Sequence, residues 1–207
     1  MMQPLLIATT NMGKLVEIRE LMDGLPYEVI SLTDALERRL LSVMPNVVED
    51  GETFEYNALK KAAEIMNLSG VTTLSDDSGL VIDFLDGQPG VHSAYFMGAG
   101  TPYEQRNARI IEMLADAPEE QRTARFVCVA AIAYPDGRTF IARGEVEGVI
   151  AYVPAGTNGF GYDPIFFIPE FGKTLAELSI AEKNAISHRA VAMKEAKELL
   201  RTEELLK

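Results

Sequence analysis

Ser75-Asp76-Asp77-Ser78-Gly79 is the stretch whose residue types and spacing can do chemistry. Adjacent carboxylates repel, so at the edge of a core they need a cation or a proton between them. Mg2+ would serve, because it takes one or two carboxylates together with substrate phosphate oxygens. The same five residues also make an ordinary polar turn. Their flanks, Val71-Thr72-Thr73-Leu74 and Leu80-Val81-Ile82-Asp83-Phe84-Leu85, read as strands, which places the acidic pair at a strand junction.

Other stretches carry the cations and glycines that an anionic ligand needs. Thr9-Thr10-Asn11-Met12-Gly13-Lys14 follows the apolar strand Leu5–Ala8 and precedes a helical pattern of Leu15, Ile18, Leu21 and Met22. A strand, a polar loop and a helix start bring backbone N–H groups and a lysine to one place, which suits a phosphate. A simple helix cap explains the same residues, and the loop is not a Walker A motif, since only Gly13-Lys14 agrees with that pattern. Val47-Val48-Glu49-Asp50-Gly51-Glu52-Thr53 is an acidic loop opening a helix lined by Phe54, Ala58, Ala62 and Ile65. Asn57 and Lys61, four apart, share another face of that helix. Glu49 is thus a candidate metal ligand and Lys61 a candidate phosphate partner, against the alternative of a solvated charged face.

Late in the chain, Gly156–Pro164 is rich in glycine and aromatics. Glycines allow close backbone approach, and an aromatic between them can stack on a planar ring or simply plug the core. Ala185-Ile186-Ser187-His188-Arg189 leads into a final helix through about Leu200.

The positioning elements follow from pattern. Strands are expected at Tyr27–Leu32, Arg125–Tyr134 and Thr139–Ile150, the last two forming a hairpin around Pro135-Asp136-Gly137-Arg138. Helices are expected over Thr33–Leu41 and from Thr101, the latter with Thr as cap, Pro102 at the first helical position and Glu104 at the third. Thr174–Glu177 and Ser179–Glu182 carry capping-box spacing. No repeat or linker interrupts the 207 residues, so the expectation is a single domain.

A net charge of −12 excludes a basic footprint for a nucleic acid polymer. No apolar run approaches the ~18 residues of a membrane span, and the N-terminus lacks the pattern of a signal peptide, so a cytoplasmic protein is expected. The single cysteine, Cys128, lies in an apolar stretch and reads as a buried, inert thiol; with two histidines the chain offers no zinc cluster.

Taken together, Thr9-Thr10-Asn11-x-Gly13-Lys14, Asn57-Ala58-x-x-Lys61-Ala62, Asp76-Asp77-Ser78-Gly79-Leu80, Gly159-Phe160-Gly161-Tyr162-Asp163-Pro164 and Ser187-His188-Arg189 resemble, in order, the signature blocks of the inosine triphosphate pyrophosphatase family, in particular its bacterial dITP/XTP pyrophosphatases. The resemblance spans about residues 5 to 195. It implies an α/β fold with an elongated mixed β-sheet, flanking helices and two lobes around a substrate cleft, all within residues 1–207, and usually a homodimer. It also implies Mg2+-dependent hydrolysis of non-standard purine nucleoside triphosphates (dITP, ITP, XTP) to the monophosphate and pyrophosphate, cleansing the nucleotide pool.

By position, the resemblance makes Asp77 the proton acceptor and a metal ligand, Glu49 a second metal ligand, and Lys14 and Lys61 phosphate-binding lysines. Thr9, Thr10, Asn11, Met12, Gly13 and Lys14 form the triphosphate loop. Ser78, Phe160, Gly161, Tyr162, Asp163, Lys183, His188 and Arg189 contact substrate, the later ones around the base. Phe160 then offers a stacking plane, and Lys183, His188 and Arg189 can donate to a 6-oxo group that a 6-amino purine lacks. The sequence departs from the family at Thr10, usually Gly or Ser, and at His92 and Tyr95, where bacterial relatives commonly carry Tyr and Arg. A nucleotide sensor without turnover, or a related enzyme preferring modified pyrimidines, are the rival readings.

Overall fold

A computed structural model describes residues 2–205. The chain runs β1 (Gln3–Ile7), α1 (Met12–Leu21), β2 (Tyr27–Ser31), α2 (Leu32–Glu37), α3 (Phe54–Ser69), β3 (Thr73–Ile82), α4 (Tyr103–Met113), β4 (Thr123–Ala133), β5 (Thr139–Ile150), β6 (Phe166–Ile168), β7 (Lys173–Thr174), α5 (Ile180–Ile186) and α6 (His188–Leu205), with short 3-10 turns between. The strands form one open sheet in the order β2-β1-β3-β4-β5-β6-β7. β1 pairs in parallel with β2 and β3, whereas β5-β6 and β6-β7 are antiparallel, so the sheet is mixed.

The chain divides into two compact units: residues 1–77, 128–144 and 189–207, and residues 78–127 and 145–188. In the first, β1 is buried on both faces, as parallel strands between helices are. Its Leu5 and Ile7 join Leu15 and Ile18 of α1 and Ala192, Met193 and Leu200 of α6, while Leu6 and Ala8 join Ile30, Ala35 and Ile65 on the opposite face. Burying each such Leu or Ile contributes about 1.5–3 kcal/mol. The expected apolar line of α3 is buried as read: Phe54, Ala58, Ala62 and Ile65. Thr53 caps that helix through the Tyr56 N–H, and Gly70, at φ 69°, ends it. In the second unit, Leu80 and Ile82 pack with Ile110 of α4, with Leu114 that follows it, and with Phe126, Tyr162, Phe166 and Leu175.

Three expectations are corrected. The acidic pair is not at a junction of two strands or in a turn: β3 is a single ten-residue strand running through it, and only Asp83–Leu85 turns away as 3-10 helix. β2 stops at Ser31 because that residue caps α2 in a reciprocal box with Asp34. Thr101 does not cap α4; its hydroxyl donates to the Met97 carbonyl at 2.9 Å, and the helix begins at Tyr103 with Pro102 flanking it. Both capping boxes at Thr174/Glu177 and Ser179/Glu182 form as read. Among the described residues no helix is long and apolar enough to cross a membrane.

Candidate functional site

Because successive side chains of a strand point to opposite faces, the two aspartates of β3 take different hydrogen-bond and ion-pair partners. Ser75 and Asp77 turn to α3: the Ser75 hydroxyl donates to the Ala58 carbonyl at 2.6 Å, and Asp77 Oδ2 accepts from Asn57 Nδ2 at 3.1 Å. Asp76 turns the other way, toward α1 and α6. Its Oδ2 lies 2.9 Å from Lys14 Nζ and 3.4 Å from Arg189 Nη2, with Cys128 Sγ at 3.9 Å. The cation expected between the two carboxylates is therefore, for Asp76, two protein cations.

The two faces drive the carboxyls in opposite directions. Burial raises the pKa of Asp76, but Lys14, Arg189 and Lys61 outweigh it and hold Asp76 well below the usual carboxylate range. For Asp77 burial wins: with Glu49 adding repulsion, Lys14 and Lys61 only partly offset it, and the pKa stands at about 6. Neighbouring groups with environments that separate their pKa values are the pattern of acid–base sites. Cys128, wholly buried beside Asp76, is pushed up to about 12, the inert thiol expected.

The residues expected to form the triphosphate loop lie at the start of α1. Thr9 Oγ1 accepts from the Asn11 N–H at 3.1 Å, and Asn11 Oδ1 accepts from the Lys14 N–H at 3.1 Å, capping the helix. Capping thus explains Asn11, while the first N–H groups of the helix, those of Met12 and Gly13, have no intrahelical acceptor and bear the positive end of its dipole. Thr10 and Met12 are exposed. One turn into α1, Glu17 is buried and takes the Arg189 Nη1 donor at 2.5 Å. Lys14, Asp76, Arg189 and Glu17 form a chain of alternating charge.

On α3, Lys61 donates to Glu49 Oε2 at 2.9 Å. Burial disfavours the Lys61 charge, yet Asp76 and Glu49 outweigh it and leave its pKa raised, so it stays a cation. Among the described residues no group of three or more His, Cys, Asp or Glu gathers as a metal cage. Glu49 and Asp77 nevertheless fit Mg2+, which keeps waters and takes few protein carboxylates; a cation there would relieve the Glu49 repulsion that raises Asp77.

In the second unit, Asp163 organises the glycine-rich loop. Its Oδ2 accepts from Lys183 Nζ at 2.6 Å and from the Phe160 N–H at 2.8 Å. Lys183 Nζ also lies 4.8 Å from the Phe160 ring centroid, a cation–π contact. Gly159, at φ 72°, leaves the space that the Asp163 carboxylate fills; a Cβ there would collide with it. Phe160 is half-buried, whereas Tyr162 is buried, donates to the Ser93 carbonyl at 2.8 Å and packs edge-on against Tyr103. The Gly161 carbonyl accepts from Asn107 at 3.2 Å. Ser78, at the start of this unit, is half-buried. His188 is buried and stacked on Phe126, rings 4.7 Å apart and 11° from parallel. Arg189, the next residue, belongs to the first unit, its guanidinium engaged by Asp76 and Glu17. His92 lies in a 3-10 turn and Tyr95 is 53 % exposed.

Glu17 escaped the reading of the sequence; it lies one helical turn after Lys14, and that i, i+3 spacing was the available signal. Asn57 and Asp76 were singled out there without a role of their own, because their partners were not visible.

The Ham1 family profile matches residues 5–199. A dITP/XTP pyrophosphatase of Geobacter sulfurreducens is 48 % identical over 192 residues, covering 93 % of this chain and 94 % of that one. A dITP/XTP pyrophosphatase of Listeria monocytogenes is 43 % identical over 194 residues, covering 94 % and 93 %. Among solved structures, a HAM1 protein of Coxiella burnetii superposes with a TM-score of 0.85 at 39 % identity, covering 96 % of this chain and 98 % of that chain. The Ham1 protein of Staphylococcus aureus gives 0.84 at 35 %, covering 97 % and 100 %. With the family's blocks in order and its mixed open sheet reproduced, the chain belongs to the Ham1 family.

Proposed function

We propose that this protein hydrolyses non-standard purine nucleoside triphosphates, dITP, ITP and XTP, to the monophosphate and pyrophosphate, and so clears them before polymerases use them. The observation that carries the reading is Asp77: a buried carboxyl held by Asn57 and under the influence of Lys14 and Lys61, in a chain whose relatives are named dITP/XTP pyrophosphatases. As an ionised carboxylate Asp77 can orient water and take its proton. Lys14 and Lys61 neutralise charge on the leaving pyrophosphate, and the open N–H groups of Met12 and Gly13 receive phosphate oxygens. Asp76 keeps Lys14 in place and Arg189 helps hold Asp76 ionised, so the effect of Arg189 on substrate runs through Asp76. Mg2+, held by Glu49 and Asp77, would supply Lewis-acid polarisation of the phosphates.

Phe160 provides the stacking plane for the base, and Lys183, steadied by Asp163, donates to the 6-oxo group; Ser78, Gly161, Tyr162 and His188 shape or line the base end. A site built around donors rejects a 6-amino purine because donor would meet donor. All of residues 1–207 serve this one reaction, in a cytoplasmic homodimer. Release of pyrophosphate from ITP, dITP and XTP but not ATP, dependent on Mg2+ and abolished in a folded Asp77→Asn variant, is the expected result. Tight ITP binding without turnover, or faster turnover of 5-methyl-UTP, would overturn it.

A further inference from the structure

Asn57 makes contacts that none of the roles above uses. It is 1 % exposed and sits in the first turns of α3 with its amide fully employed. Oδ1 accepts from the Gly51 N–H at 2.8 Å, and Nδ2 donates to the Gly51 carbonyl at 3.3 Å and to Asp77 Oδ2 at 3.1 Å. One side chain thereby grips the acidic loop by both polar groups of a single peptide residue and touches the strand carboxylate as well. Gly51 is fitted to this grip: a Cβ there would stand 2.7 Å from Asn57 Oδ1 and overlap the Tyr56 ring. Two residues before Gly51 comes Glu49, and its carboxylate is held by Lys61, one turn further along α3. Only an amide meets these demands, since a carboxylate cannot donate to Asp77 and a hydroxyl lacks the second donor–acceptor arm.

We infer that Asn57 is a positioning residue that sets the separation and orientation of Glu49 and Asp77 for a shared divalent cation. The inference rests on the proposed assignment of those two carboxylates. Partners that orient metal ligands without touching the metal are worth about 10–100-fold in affinity.

The test uses the full chain and Mn2+ as probe, followed by electron paramagnetic resonance of the free ion, beside steady-state kinetics with ITP over a Mg2+ titration. Asn57→Ala should weaken Mn2+ binding about tenfold or more and raise the Mg2+ needed for half-maximal rate in parallel. The KM for ITP at saturating Mg2+ should stay within about threefold, because the substrate contacts are untouched. Gly51→Ala, which attacks the same grip from the loop and leaves Asn57 in place, should weaken Mn2+ binding in the same direction, and it decides the matter if Asn57→Ala does not fold. Unchanged Mn2+ affinity in the folded variants, whatever their loss of thermal stability, means Asn57 merely packs α3 and overturns the inference, as does a wild type that binds no Mn2+. A wild type that binds Mn2+ but leaves ITP intact defeats the proposed reaction instead, with the Mn2+ comparison still deciding the role of Asn57.

Discussion

Replacing Asp77 with Asn should make the metal-free protein more stable at pH 8 while removing its activity. Asp77 is 7 % exposed, and burial is the largest influence carrying its pKa from the ordinary 3.8 to about 6. A carboxyl whose folded-state pKa lies above its unfolded value costs nothing below the unfolded value. The cost grows as pH rises from about 4 to about 6 and is constant beyond. At ~1.4 kcal/mol per pH unit, the rise from 3.8 to about 6 corresponds to roughly 3 kcal/mol at pH 8. Asparagine is nearly isosteric, carries no charge, and its Oδ1 can still accept from Asn57. Urea unfolding in EDTA should therefore show Asp77→Asn ahead of wild type by on the order of 1–3 kcal/mol at pH 8, and within about 0.5 kcal/mol of it at pH 4. Saturating Mg2+ should shrink the pH 8 gap, since a cation beside the carboxylate favours its charged form and binds only the folded wild type. A variant no more stable than wild type at pH 8 without metal, or a gap independent of pH, would refute the desolvation account of Asp77.

Asp76→Asn should do the reverse and destabilise by about 3–5 kcal/mol near neutrality, because it removes the buried carboxylate that pairs with Lys14 and takes one carboxylate partner from Arg189, leaving it Glu17. The stability that Asp76 provides is present above 3.8 and fades as pH falls below it, so the urea midpoints of the two proteins should converge in acid. Lys14→Ala should lower kcat/KM for ITP about 10–100-fold, the worth of a charge-assisted contact of about 1.5–3 kcal/mol; unchanged kinetics would leave Lys14 a partner of Asp76 and nothing more. Gly159→Ala imposes φ 72° on a residue with a Cβ and drives that Cβ into the Asp163 carboxylate, a strain of about 1–3 kcal/mol. It should erode the preference for ITP over ATP without altering Mn2+ affinity, and a preserved preference would remove Lys183 and Phe160 from base reading.

Much of the fold was written in local pattern. The apolar lines of α3 and of Leu5–Ala8, the turn at Pro135–Arg138, closed by the Tyr134 N–H donating to the Arg138 carbonyl at 2.9 Å, and the two late capping boxes each depend on residues near one another in the chain, and each forms as read. The errors at Thr101 and at the end of β2 are errors of boundary: the Ser31–Asp34 box ends β2, and the Thr101 hydroxyl goes to Met97. The error at β3 is one of continuity, since the polar turn residues of the acidic stretch lie inside one strand.

By itself, then, the sequence determined the family, the elements and the roster of ionisable side chains, since periodicity, caps and ordered motifs are carried by neighbours in the chain. It did not determine what each charge would do. That Asp76 and Asp77 part company follows only from β3 being one continuous strand, whose pleat sends one carboxyl to Lys14 and Arg189 and the other to Asn57. Burial and long-range partners, Arg189 among them at 113 residues' remove from Asp76, then hold one well below the usual range and lift the other to about 6. Coulomb energy and desolvation depend on distance in space and depth from water, and neither is a property of position along the chain.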